Sequence, residues 1–514
     1  MIKLFLAVLM VAGICFSQPL PTITACTPDS IWMGGGTVYI SKTNNIDTVW
    51  FGDSLATITG EGTTVDTVLA TAYDIDGPVD IIVANSAGRD TLTGGLNYYR
   101  FNYTVSKIID NGATNRVNQA YVGDGFAYAD TTTYKAYVDS SIKARRGLMG
   151  DWNAAQGMRP MGRYDKFFNF YRVNLISPES GISATPAWAS PDTFVVNTPL
   201  KGTQDKAVLG WTIDSLTDSL WNHVQSDIGD TLHWKFVSLN TTDYRNSGGK
   251  YATFGYLLGF ADLLSHEISH SIHGLGDEYW GCLGNRDDVD HGLPNITNDA
   301  NLDRWDRWVG YNDADITLNL VPWHCGVGDT IGDTVRYYEG AYYADSGQYR
   351  PTNNSKTNLT WNTGYTVGWN AICREKIIHD IYSVVSPVDA ISADTSGTIT
   401  KMALTVSVID TAVIKIDWYR NDTLILSDGG EVLPIDSMPA DTGSFTITAH
   451  VYDEIIRHSN STNATPDALD YIRDGDTTAM VRDYTWTLTV PTSSGKHRGW
   501  NAWRTFRGGL FDLK

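Results

Sequence analysis

The chain has 514 residues, 42% of them hydrophobic, and a formal net charge of -20 at pH 7. That length predicts about three domains, with enough apolar residues to close real cores. The acidic balance and the lack of any Lys/Arg-rich run exclude an electrostatic nucleic-acid binder.

The opening "MIKLFLAVLMVAGICFSQP" reads as a secretory signal over residues 1–17. Lys3 gives the positive start, Leu4 to Cys15 the apolar run, and cleavage falls near Ser17. The run is too short to span a bilayer, and no later segment reaches transmembrane length. A lipidated Cys15 fits less well, because Ile14 precedes it. The expected location is secreted, extracellular or at the cell surface. Cys26, Cys282, Cys325 and Cys373 remain after cleavage, where disulfides are permitted. No CxxC spacing is present; Cys282 with Cys325 is one candidate bridge, and reduced, buried thiols are the equal alternative.

Residues 20–103 carry short β-rich runs, "GGGTVYIS", "DTVWFG", "TVLATAYDI" and "VDIIVANSAGRDT", separated by Gly, Asn and Asp turns. This predicts a small sandwich. Pro28, Gly34 to Gly36, "VWFG" and "VANSAGRDT" resemble, in that order, the IPT/TIG immunoglobulin-like family. The resemblance implies a spacing or docking module and carries no catalytic residue.

Residues 105–385 change character, with helical periodicity near 132–147, 205–225 and 255–273, and predict one α/β domain. Residues 386–492 return to strands, "TKMALTVSVI", "VIKIDWYRNDTLI", "GSFTITAHVYD" and "YTWTLTV", as in a second sandwich. The basic, aromatic tail 493–514 reads as a packed terminal segment or as an export or anchoring signal.

The chain holds only eight glutamates, and two of them, Glu267 and Glu278, lie in "LLSHEISHSIHGLGDEYW". On a helix, His266 and His270 lie about 40° apart on one face, with Leu264, Ile268, Ile272 and Leu275 on the other. Two imidazoles at i and i+4 can grip one Zn2+ from consecutive turns, and Glu267 beside the first can serve as general base without ligating. A catalytic zinc needs a third protein ligand. His273 sits too far along a continuing helix and is expected behind the ligands, supporting one of them, or at the rim. Gly274 and Gly276 can turn the chain back, bringing Asp277 or Glu278 to the ion, Asp277 by preference. No G-x-S-x-G elbow supports serine catalysis. "NRDDVDHGLPNITND" lacks full calcium-loop spacing and reads as a solvated loop.

"HEISHSIHGLGDEY" resembles the signature HExGHxxxGLxDEY of the IgA-peptidase (igalysin) family of zinc metallopeptidases. The resemblance extends, in the family's order over some 270 residues, through "NRVNQAYVGDGF", "YDKFFNFYRVNLISPESGIS", "DYRNSGGKYATF", "YYEGAYYADSGQYRPTNNS" and "AICREKI". It implies a zincin-type α/β domain with His266, His270 and Asp277 as ligands of one Zn2+ and Glu267 as catalytic base. It also places Tyr349 and Arg350 near the metal, Tyr349 as a hydrogen-bond donor to the oxyanion or as plain packing, and Glu339 as an orienting acceptor for a ligand histidine or a salt-bridge partner. This chain departs from the family at Ser269, where Gly is common, at Thr357, where a methionine is expected, and at Arg245 and Asn246, where glycines are usual.

The expected protein is therefore a secreted zinc endopeptidase with a sandwich on each side, acting on a protein or peptide substrate and meeting a surface or extracellular partner through the sandwiches. The alternative is a non-enzymatic surface or adhesion protein with a structural or decayed metal site. The IgA of the family name is not carried over.

Overall fold

In the computed structural model, the described residues are 18–490 except 74–75, 113, 147–158, 186–195, 206–209, 242–246, 256–259, 282–283, 302–303, 314–333, 359–367, 393–395, 399–402, 435–442, 459–470 and 474–475. The expected signal 1–17, the tail 493–514, Arg245, Asn246, Cys282 and Cys325 lie outside them. The described residues are mostly β-sheet, with four α-helices.

The N-terminal stretch forms two sheets. One runs in the order Ile23–Thr27, Gly36–Lys42, Val65–Ala70, Thr57–Gly60; the other is Ser30–Trp32, Gly88–Tyr99, Gly77–Asn85, Thr48–Phe51, Ser54–Leu55. Strand alternation sets the layer between them: Val38 and Ile40 are fully buried while Tyr39, between them, is half exposed. Val38, Ile40, Val49, Phe51, Val68, Ile81 and Val83 meet in a core of their own. Each of these side chains contributes about 1.5–3 kcal/mol to closing the layer.

The middle of the chain builds a six-stranded mixed sheet from β1 (Tyr103–Ile109), β2 (Val117–Asp124), β3 (Phe168–Leu175), β4 (Trp234–Leu239), β5 (Ser247–Gly248) and β6 (Ala252–Phe254). Its order is β1-β3-β2-β4-β6-β5. β3, β2, β4 and β6 pair in parallel, and β1 and β5 run antiparallel at the edges. Every residue of β2 is buried, as a parallel strand covered on both faces requires. The covering helices are α1 (Thr131–Arg145), α2 (Asp214–Ile228), α3 (Phe260–Ser271) and α4 (Ala371–Tyr382). Tyr134 and Val138 of α1, Leu264 and Ile268 of α3, and Ile377 and Ile381 of α4 share a core with Tyr121, Phe236 and Phe254. Leu220, Trp221 and Val224 of α2 pack on Ala120, Val122 and Val237 of the other face. The helix expected over 205–225 starts only at Asp214, because Thr203–Asp205 and Gly210–Trp211 pair as strands instead.

The last third again forms two sheets: Val388–Ile391, Ala403–Val408, Val432–Pro434, and Ser396–Thr398, Val481–Val490, Gly443–Asp453, Ile414–Arg420, Thr423–Leu426. Their interior is not separate. Tyr382 and Val385 run into Val388, Leu404, Trp418 and Trp486 as one core with the helices. Fully buried Asp453 accepts hydrogen bonds from Arg163 at 2.9 Å and from the hydroxyls of Tyr164 and Tyr382 at 2.7 Å. The expected boundary at 385/386 is thus a change of element type across a continuous hydrophobic interior.

Candidate metal centre

α3 is amphipathic. Leu264 and Ile268 are buried against the sheet, while His266 and His270 are partly exposed on the opposite face. The helix stops at Gly274, whose φ of 61° is left-handed and suits glycine. The Gly274 N–H donates to the His270 carbonyl at 3.1 Å, the helix-closing bond of a left-handed cap. Leu275 then donates back to Ser269 at 2.9 Å and reverses the chain. Gly276 leaves no room for a side chain: a Cβ there would lie 2.6 Å from Leu293 and 2.7 Å from Ile296. The next residue, Asp277, is delivered under the helix.

Three atoms converge. Nε2 of His266 and Nε2 of His270 are 3.1 Å apart, and each is 3.1 Å from Oδ1 of Asp277. The other ring nitrogens are anchored: Nδ1 of His266 donates to the Lys356 carbonyl at 2.9 Å, and Nδ1 of His270 to the Leu275 carbonyl at 2.7 Å. Carbonyls only accept, so the protons of the neutral rings sit on Nδ1 and the Nε2 lone pairs face each other and the carboxylate. Oδ1 of Asp277 is buried without a conventional donor. Three lone pairs at this separation repel unless a positive charge lies among them. A shared proton can supply that charge. Burial alone would lower the His266 pKa, but hydrogen bonding to Asp277 and the charges of Glu267 and Asp277 lift it to about 9. Asp277 is shifted the opposite way: burial would raise its pKa, and the bonds to both histidines hold it far below the carboxylate range. His266, His270 and Asp277 could equally hold a divalent cation.

Glu267 is 8% exposed, and burial raises its pKa, partly countered by the two histidines and by the Gly248 N–H. One of its carboxylate oxygens lies within 4.8 Å of ring nitrogens of both histidines. β5 lies against this stretch of α3 at Gly248.

Glu278, the other candidate ligand, points away. Its carboxylate is fully buried and accepts from Ser355 at 2.6 Å, Asn295 at 2.9 Å and Asn370 at 2.8 Å. Thr357 belongs to this same polar knot, 2.9 Å from the Ser355 hydroxyl. His273 is buried, 2.8 Å from Asp380 and edge-on to Trp234, rather than at a rim. Ser269 is absorbed by the helix, bonding to the Ser265 carbonyl and accepting from Trp369.

The hairpin of β7 (Tyr338–Ala341) and β8 (Ala344–Arg350) packs beside Asp277. Tyr349 does not approach the carboxylate. Its backbone pairs with Thr297, and its phenol lies near Arg286. Glu339 is exposed and accepts from the Gly347 N–H; backbone carbonyls take the orienting role expected of it. Arg350 is a buried strut, donating to the Glu339 carbonyl and lying 4.3 Å from the Trp280 ring centroid. Tyr343 does reach the site: its hydroxyl donates to Oδ2 of Asp277 at 2.5 Å, beside Tyr279, whose ring stacks on His266. Tyr279 donates to the Tyr343 hydroxyl at 2.8 Å. Tyr342 and Tyr343 form the two-residue turn of the hairpin, with φ of 48° and 65°. Such a type I′ turn normally takes Asn-Gly, and a left-handed backbone costs a bulky residue roughly 1–2 kcal/mol. The phrase "YEGAYYADSG" could have shown this turn only by its two-residue spacing, since paired tyrosines read as strand.

No family model matches the chain, and no curated protein matches it. Two solved structures from Bacteroides thetaiotaomicron show partial likeness. One, of unknown function, is 21% identical over 20% of this chain and 30% of its own length, with a TM-score of 0.15. The other, named only provisionally as a phosphatase, is 19% identical over 20% of this chain and 21% of its own, with a TM-score of 0.14. This chain thus spans less than a third of either protein. Among the described residues, no helix is long and apolar enough to cross a membrane.

Proposed function

We propose that the chain is an exported zinc-dependent endopeptidase of the igalysin kind, with a zincin-type catalytic body carried between two immunoglobulin-like sandwiches. One observation carries the reading: the 3.1 Å triangle of two imidazole nitrogens and a carboxylate oxygen, with Glu267 beside it. Two histidines and one carboxylate with a further position open is a catalytic zinc donor set. Ligands of a tetrahedral Zn2+ at about 2.0–2.1 Å stand roughly 3.3 Å from one another, which the observed spacing fits. Solvent reaches the triangle, since the side chains of His266, His270 and Asp277 are 13%, 17% and 10% exposed.

The ion, when bound, supplies Lewis acidity toward a peptide carbonyl. The chain's residues do the rest. The Lys356 and Leu275 carbonyls hold both rings in the tautomer that offers Nε2. Glu267 takes the proton of the attacking water and returns it to the leaving amine. Its upward pKa shift suits a group that must both accept and give a proton. The sandwiches place this body against a surface or a protein substrate.

Metal analysis with a Glu267→Ala comparison on an unfolded protein substrate tests the reading. The expected result is about one zinc per chain in both proteins, with cleavage in the wild type alone. Equal behaviour of the two on every substrate would leave a non-enzymatic surface protein with a structural metal.

A further inference from the structure

We infer that Tyr343 is a positioning residue for Asp277. It grips one carboxylate oxygen so that the other stays aimed at the two imidazoles. The inference rests on the metal-centre reading above.

An aspartate carboxylate on a short side chain can present either oxygen. Here Oδ2 accepts the Tyr343 hydroxyl at 2.5 Å, and Oδ1 faces both Nε2 atoms. Tyr279 donates to the Tyr343 oxygen at 2.8 Å and also borders Asp277, so a second phenol backs the same grip. The turn is tied to the ligand's own segment: the Tyr342 N–H donates to the Asp277 carbonyl at 2.9 Å, and the Tyr343 N–H to the Tyr279 carbonyl at 3.1 Å.

Packing does not account for this tyrosine. Tyr343 is 49% exposed, so its ring contributes little to a core. It also occupies, with Tyr342, a pair of left-handed positions where asparagine and glycine would fold more easily. Backbone held in such a conformation concentrates where it aims a functional group. The group aimed is the hydroxyl, and its target is the proposed ligand.

The test is the zinc affinity of the full chain, by chelator competition, for wild type, Tyr343→Phe and Tyr342→Phe, together with the visible absorption of the Co2+-loaded proteins. Hydrogen-bond partners of metal ligands typically carry 10–100-fold in affinity. Tyr343→Phe should weaken Zn2+ binding by about that factor and shift the cobalt bands. Tyr342→Phe should leave both as in wild type. Wild-type affinity and spectrum in Tyr343→Phe would overturn the inference alone, as would an equal loss in Tyr342→Phe, which would assign the effect to the turn. A wild-type chain that takes up no zinc would overturn the metal-centre reading and this inference with it.

Discussion

Gly248 lies against His270: a Cβ added to the glycine would stand 2.8 Å from the His270 Cβ and 3.0 Å from the Glu267 carbonyl oxygen. The edge strand β5 therefore touches the helix that offers both histidines, with no room for even one methyl group. Gly248→Ala must push strand and helix apart. The expected cost is about 1–3 kcal/mol of stability, as for overpacking generally. The displaced His270 should also reduce zinc affinity at least tenfold or so. Thermal melting and chelator competition check the two effects; an alanine variant matching wild type in both would show that the strand can lift freely.

Asp277 and Glu278 are neighbours with opposite fates, and isosteric amides separate them. Asp277→Asn should fold normally and lose most of its zinc. Glu278→Gln places an amide among the Asn295, Asn370 and Ser355 donors. It should lose roughly 1–3 kcal/mol of stability while keeping the metal. Elemental analysis beside urea unfolding gives the answer, and a metal-free but fully stable Glu278→Gln would reverse the assignment.

His273 makes stability fall on acidification. Burial, partly offset by Asp380, lowers its pKa to about 4 in the folded protein, against an ordinary value near 6.5. As pH drops through about 6.5 the unfolded chain takes up the proton first, so folded stability declines until about pH 4. At roughly 1.4 kcal/mol per unit, the loss amounts to about 3 kcal/mol. His273→Gln keeps a donor for Asp380 without this titration. Denaturant unfolding near pH 7 and near pH 4.5 should show a smaller difference for the variant than for wild type. Identical pH dependence would mean that His273 accepts its proton in the folded state.

Asp453 ties the last third of the chain to the body built on the six-stranded sheet. Asp453→Ala would leave Arg163, Tyr164 and Tyr382 without their shared acceptor, at a cost of about 3–5 kcal/mol. The cores predict two calorimetric transitions, one for residues 20–103 and one for everything after. Only the second should shift in the variant. A third transition, or a shift in the first, would contradict the continuous interior between Tyr382 and Trp486.

Much of the site was legible because its geometry is local. The i, i+4 histidines, the Gly274 reversal and Asp277 lie within twelve residues, so helical periodicity and one glycine placed them together. Tyr343 was not legible. It comes from a hairpin far along the chain, and its position depends on a turn type that paired tyrosines disguise. Tyr349 stands in a recognisable phrase, "YRP", yet in β8 its backbone pairs with Glu339 and Thr297, away from the turn that carries Tyr343. The sandwich-like ends followed from strand alternation. Alternation says which side of a strand is apolar, and not what covers it, so the merging of the last third with α4 could not be read from residues 386–492 alone.

The unequal cores have a genetic corollary. The described residues of 20–103 close over their own interior, so a rearrangement that exchanged them for another module would leave the histidine–aspartate cluster untouched. A recombination joint after residue 385 would strip one wall from the interior that backs the histidine helix, so the two flanks, alike in architecture, differ in how freely a lineage can discard them.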